Sequence, residues 1–123
     1  MSDPIEVVRE FCAAWEARDQ ARILDAFTED GVYHNIPMQP AAGKDAIKAV
    51  LGMILGQASE VSFEIVNIVA SGDVVMTERV DTFVMGERTI ALPVMGVFEV
   101  RDGKIAAWRD YFDLATWTKQ ASG

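Results

Sequence analysis

Val74-Val75-Met76-Thr77-Glu78-Arg79-Val80-Asp81-Thr82-Phe83-Val84 reads as one long strand that carries an arginine and an aspartate on the same face. Side chains two residues apart in a strand point the same way, so Arg79 and Asp81 project together, flanked by Val75, Thr77 and Phe83. If that face lines a cavity, the cavity holds charge, and charge taken out of water is costly unless it is paired. On this segment alone a salt bridge that staples the sheet is the simpler reading, and a chemical role stands beside it. The opposite face is apolar at Val74, Met76, Val80 and Val84, broken by Glu78. A single-layer sheet would leave that face wet, so a homodimer through the outer sheet face is expected.

Similar strands surround it: Val61 to Ala70, Thr89 to Arg101 and Lys104 to Asp113. Ser71-Gly72-Asp73, Met85-Gly86-Glu87 and Arg101-Asp102-Gly103-Lys104 lie between them as hairpin turns, which makes the run an antiparallel meander. Pro93 predicts an edge or a bulge within its strand, because proline has no N–H to give to a ladder.

Upstream the pattern is helical. Asp3-Pro4-Ile5-Glu6 supplies an N-cap, a proline at the first helical position and a glutamate three residues after the cap. Val8, Phe11, Cys12 and Trp15 then recur at helical spacing, which places Cys12 in a core stripe. Asp19 caps a second helix carrying Ile23, Leu24 and Phe27 and ended by Glu29-Asp30-Gly31. Val32 to Ile36 is a short strand with Tyr33 and Asn35 on one face and His34 on the other. A turn rich in proline and glycine leads to a third helix, Lys44 to Leu55, with Ile47, Val50, Leu51 and Ile54 on one stripe. This order describes an α+β fold, a strongly curved, mostly antiparallel sheet wrapped around three N-terminal helices.

A chain of 123 residues, 50% hydrophobic, suits a single domain spanning 1–123. Its net charge of -8 argues against nucleic acid or an anionic membrane surface as partner. No leader pattern and no apolar run of membrane-spanning length is seen, so a cytoplasmic protein is expected. With a single cysteine and a single histidine there is no spacing for a zinc or haem site, and no metal or cofactor is expected.

Trp108-Arg109-Asp110-Tyr111-Phe112-Asp113 repeats the opening pattern, with Ala106, Trp108, Asp110 and Phe112 on one face and a lone carboxylate among them. If Arg79, Asp81 and Asp110 meet, one guanidinium faces two carboxylates and one proton restores neutrality. Burial and mutual repulsion raise an aspartate pKa while the arginine lowers it, so a shared proton at neutral pH fits. Such a pair is an acid and a base side by side.

Tyr33-His34-Asn35, Arg79-Val80-Asp81 and the run from Gly96-Val97-Phe98-Glu99-Val100 through Gly103-Lys104-Ile105 to Trp108-Arg109-Asp110-Tyr111-Phe112-Asp113-Leu114 resemble the limonene-1,2-epoxide hydrolase family. The resemblance implies the cone-shaped fold of nuclear transport factor 2-like proteins. It also implies one-step hydrolysis of a lipophilic epoxide by water, without metal, cofactor or covalent intermediate. On it, Asp81 would be the general acid and Asp110 the general base. Arg79 would bridge them, and Tyr33 and Asn35 would position the water. Substrate would lie against Phe83, Leu92, Val94, Phe112 and a subset of Met53, Ile54 and Trp117. The tail from Ala115 to Gly123 is short and its last residues offer no anchor, so a more open cavity is expected. The rival readings are a ketosteroid isomerase-like or polyketide cyclase-like enzyme of the same fold and a non-catalytic binding or dimerisation module. Isomerase or cyclase chemistry wants a carboxylate early in the sheet, where this chain has the amide Asn35.

Overall fold

A computed structural model describes residues 3–122. The element order is α1 (Pro4–Glu16), α2 (Gln20–Asp25), β1 (Phe27–Asn35), β2 (Ala41–Ala42), α3 (Lys44–Gln57), β3 (Glu60–Ser71), β4 (Val74–Met85), β5 (Arg88–Arg101), β6 (Lys104–Tyr111) and α4 (Leu114–Ser122). Asp3 caps α1 as its sequence requires, accepting a hydrogen bond from the Ile5 amide at 3.0 Å, and Asp19 does the same for α2 through the Arg22 amide at 3.1 Å.

The six strands form one sheet in the order β2-β1-β6-β5-β4-β3. β1 runs parallel to β6, and the other pairings are antiparallel. The meander of four long strands is therefore as expected, and the first strand closes onto its far side. Asp102 (φ 52°) and Gly103 (φ 76°) make the left-handed pair that a two-residue hairpin between β5 and β6 needs. The sheet wraps the α1 stripe: Phe11 meets Phe27, Phe98 and Trp108 edge-on at 5.5, 6.0 and 4.9 Å between ring centroids. Cys12 is buried in that stripe, and burial pushes its thiol up to about 12, which leaves it an inert core group.

Three details depart from the sequence reading. Phe27 does not end α2 but begins β1, in register with Ile105, and the polar Glu29-Asp30-Gly31 sits inside the strand where its register shifts. Pro93 makes no bulge: it pairs with Val80 in an unbroken β4–β5 ladder. The edge it implies is nevertheless present. The β5–β6 pairing ends at Met95 and Tyr111, so the proline nitrogen faces a side that has no neighbouring strand and needs no donor.

The third departure is the tail, which is a fourth helix with an anchor. Asp113 accepts from the Thr116 amide at 3.3 Å and from its hydroxyl at 2.7 Å, a cap that starts α4. Gln120 then mimics a strand on the free edge of β5: its Oε1 accepts from the Ala91 amide at 2.8 Å and its Nε2 donates to the Ala91 carbonyl at 2.9 Å. The Arg88 guanidinium also donates to the Ala121 carbonyl. Gly123, the end of that tail, lies outside the described residues.

Candidate active site

The strand register brings together the residues that the sequence scattered. Gly96 of β5 has Thr77 of β4 on one side and Asp110 of β6 on the other, and Asp110 in turn has Asn35 of β1 beside it. One rung of the sheet thus runs Thr77, Gly96, Asp110, Asn35. On the neighbouring positions of the same inward face stand Arg79 and Asp81 of β4, Trp108 of β6 and Tyr33 of β1, with Tyr33 and Trp108 paired in register.

Arg79 reaches back over this rung and is completely buried. Its Nε donates to Asp81 Oδ1 at 3.0 Å and its Nη2 to Asp81 Oδ2 at 2.8 Å. Nη2 also donates to Asp110 Oδ2 at 2.7 Å. Nη1 donates to Asp110 Oδ1 at 3.3 Å and to Thr77 Oγ1 at 3.0 Å. A guanidinium has five N–H groups, and each has an acceptor here. Arg79 is therefore a saturated bridge: it fixes both carboxylates and keeps no donor for a ligand. The Phe63 ring covers it, 5.0 Å from ring centroid to guanidinium carbon.

The carboxylates differ in what else they receive. Trp108 Nε1 donates to Asp110 Oδ1 at 2.6 Å, whereas the described hydrogen bonds to the Asp81 carboxylate come from Arg79. Burial pushes Asp81 up from 3.8 to about 6, with Arg79 opposing and the charge of Asp110 adding to the rise. Burial also raises Asp110, against the Arg79 charge and hydrogen bonds and the Trp108 hydrogen bond. Tyr33 is kept a neutral phenol chiefly by burial and next by the Asp110 charge, with the nearby Asn35 amide opposing. Its ring lies on Trp108, and Phe98 stacks against the same indole at 5.5 Å and 13°.

Asp81, Asp110, Tyr33 and Asn35 open onto a cavity of about 340 Å³. Phe83, Leu92, Val94, Phe112, Met53, Ile54 and Trp117, all named from the sequence, line it. Trp15, Phe63, Gln39 and Gln57 line it too and were missed, Trp15 because it reads as core and the glutamines because a turn and a helix end carry no face signal. Thr77 and Trp108 were legible in principle: each stands two residues before a charged partner on an inward strand face. His34 lies on the other face, with Nε2 3.0 Å from the Met38 carbonyl, as its alternation predicts.

A small apolar chamber with two carboxylates held over one arginine, beside a phenol and an amide, suits proton donation and removal on an uncharged substrate. The family model of the limonene-1,2-epoxide hydrolase catalytic domain matches residues 2–122. The chain belongs to the limonene-1,2-epoxide hydrolase family. At the level of the family, its activity is epoxide hydrolysis.

Several proteins are similar to it. Epoxide hydrolase EphG of Mycobacterium tuberculosis is 36% identical over 109 residues, 87% of this chain and 71% of that protein. The solved structure of an M. tuberculosis LEH-like epoxide hydrolase superposes with a TM-score of 0.82 at 34% identity, covering 98% of this chain and 90% of that one. A Catenulispora acidiphila protein of ketosteroid isomerase-like fold, solved with trimethylamine, has a TM-score of 0.85 at 22% identity, covering 95% and 92% of the two chains. At that identity the likeness is one of fold alone. The nuclear transport factor 2-like architecture expected from the sequence is therefore the one observed.

Proposed function

We propose that this enzyme adds water to a lipophilic epoxide to give a vicinal diol, with Asp81 as general acid and Asp110 as general base. The observation that carries the reading is the shared guanidinium: one buried positive charge holds two buried carboxylates that face a single apolar cavity. That group is neutral when one proton resides on the pair. The extra hydrogen bond from Trp108 favours the anion at Asp110 and leaves the proton to Asp81.

Water sits between Asp110, Tyr33 and Asn35. Asp110 takes a proton from it as its oxygen bonds to an epoxide carbon. The carbon–oxygen bond of the ring breaks, and the epoxide oxygen receives the Asp81 proton. Both charges that would otherwise develop, hydroxide on one side and alkoxide on the other, are avoided in the same step. Arg79 moves no proton; it holds the two carboxylates on opposite sides of the reacting atoms. The proton acquired by Asp110 returns to Asp81 through water and resets the pair. The apolar walls at Phe83, Leu92, Val94 and Phe112 select an uncharged, lipophilic substrate.

The outer face of the sheet supports a second element of the reading, a homodimer. Val69, Met76 and Met95 of β3, β4 and β5 are 61%, 45% and 50% exposed on that face, and a second copy of the chain would cover them.

The test is turnover of a panel of terpene, alicyclic and aryl epoxides by the wild-type protein and by Asp81→Asn and Asp110→Asn. Each variant is expected to lose hydrolysis while its circular dichroism stays native. Full activity in either one would remove its residue from the mechanism.

A further inference from the structure

Arg79 leans over Gly96 so closely that an added Cβ there would stand 2.4 Å from Arg79 Nη1, 2.6 Å from Asp110 Oδ1 and 3.0 Å from Thr77 Oγ1. Gly96 has no positive φ, so space and not backbone conformation is what the site asks of it. Real Cβ atoms do not approach others that closely, so any larger residue would have to push the guanidinium or the carboxylate off the rung. Beside this gap, Thr77 is completely buried. Its hydroxyl donates to the Gly96 carbonyl at 3.4 Å and accepts from Arg79 Nη1 at 3.0 Å. The donation to the fixed carbonyl leaves the oxygen lone pairs toward Arg79, so the hydroxyl has a set orientation.

We propose that Thr77 and Gly96 form a seat for the Arg79 guanidinium, Thr77 acting as a positioning residue that holds Nη1 partly away from Asp110. The proposal takes Arg79, Asp81 and Asp110 as the reaction centre, as above, and adds how its geometry is set. The two N–H groups of Nη1 go to Thr77 at 3.0 Å and to Asp110 at 3.3 Å, whereas those of Nη2 are bound more tightly, at 2.7 and 2.8 Å, to the two carboxylates. The pull of Thr77 on one Nη1 N–H keeps the other at its longer distance from Asp110. Without the hydroxyl, the guanidinium would settle toward Asp110 Oδ1, shorten that bond and hold the carboxylate more firmly as an anion, which makes it a weaker base.

The charged and titratable groups around Asp110 are Arg79 and Asp81 from β4, Tyr33 from β1 and Cys12 from α1. Burial keeps Tyr33 and Cys12 in their protonated forms, so Arg79 and Asp81 are the partners whose charge or geometry can move the Asp110 titration. The Trp108 indole N–H, bonded to Asp110 Oδ1, is a built-in reporter of that titration and does not depend on substrate.

The experiment follows the Trp108 indole signal in ¹H–¹⁵N spectra across pH for the wild type, Thr77→Val and Thr77→Ser, with Trp15→Phe and Trp117→Phe used to assign it. Valine keeps the branched shape without the hydroxyl, and serine keeps the hydroxyl. The midpoint is expected to fall by about half a pH unit or more in Thr77→Val and to stay within about 0.2 in Thr77→Ser. An unmoved or raised midpoint in Thr77→Val, or an equal shift in Thr77→Ser, overturns the proposal. Epoxide turnover by the wild type is measured separately. Its absence would overturn the hydrolase reading and would leave the indole titration to decide the seat on its own.

Discussion

Tyr33 lies flat on Trp108, with ring centroids 4.2 Å apart and planes 6° from parallel. The same indole donates its N–H to Asp110. One ring from the middle of β6 therefore orients both Asp110, the proposed base, and Tyr33, proposed to hold water. Its own position is fixed by Phe11 edge-on and by Phe98 on its other side.

Trp108→Phe keeps the stack but removes the donor. A hydrogen bond to a charged group contributes roughly 1.5–3 kcal/mol. Losing it raises the Asp110 pKa, so more of the pair is doubly protonated at a given pH. The acidic limb of the kcat/KM profile is expected to move to higher pH, with kcat near neutrality lowered about tenfold or more. Stopped or fixed-time hydrolysis assays between about pH 5 and 9 check this. An unmoved limb would mean that the indole N–H has no hold on the base.

Stability should carry the mark of the buried pair. The Asp81 pKa in the folded protein, about 6, lies above its ordinary 3.8. The folded state thus keeps the proton longer than the unfolded chain. The resulting stabilisation is fully present below about 3.8 and is lost as pH rises through about 6. Asp81→Asn removes that titration. Urea unfolding should show the wild type losing on the order of 1–3 kcal/mol relative to the variant between about pH 4 and 6.5.

The tail helix closes one side of the cavity. Trp117 meets Phe83 edge-on at 5.6 Å, and both line the chamber. Trp117→Ala is expected to raise KM for bulky lipophilic epoxides about tenfold, corresponding to about 1.4 kcal/mol of lost contact, with kcat changed less. Gln120→Ala, which frees the helix from Ala91, should act in the same direction but more weakly, and steady-state kinetics on both variants would show the order.

The outer sheet face gives a prediction about assembly. Met76→Glu places a charge where Val69 and Met95 leave apolar surface exposed. Sedimentation equilibrium is expected to give a dimer for the wild type and a monomer for the variant. A wild-type monomer at tens of micromolar would sink the homodimer.

Much of this was legible before any coordinates, because period-two alternation assigns faces without knowing partners. Arg79 with Asp81, and Tyr33 with Asn35, were each placed on one face by that rule alone. Their convergence was not legible. It depends on β1 pairing parallel with β6, a long-range choice that sets Tyr33 opposite Trp108 and Asn35 opposite Asp110. Gly96 stayed silent for a similar reason: a missing Cβ matters only when it is known what stands above it. Phe27 was misread because its apolar ring extends the α2 stripe by one position, while the tertiary contacts with Phe11 and Ile105 claim it for a strand. In α4 the cap was written in the sequence as Asp113 and Thr116, but its anchor, Gln120 on the edge of β5, is a tertiary contact.

The central claim is that water, activated by Asp110, attacks the epoxide directly while Asp81 supplies the proton. Single-turnover hydrolysis of a lipophilic epoxide in oxygen-18 water, with enzyme in excess, measures this in one step. The account predicts that the first diol formed carries the label in the hydroxyl added by water and that both carboxylates remain unlabelled. An unlabelled first diol, its new oxygen drawn from a carboxylate of the protein, would contradict it.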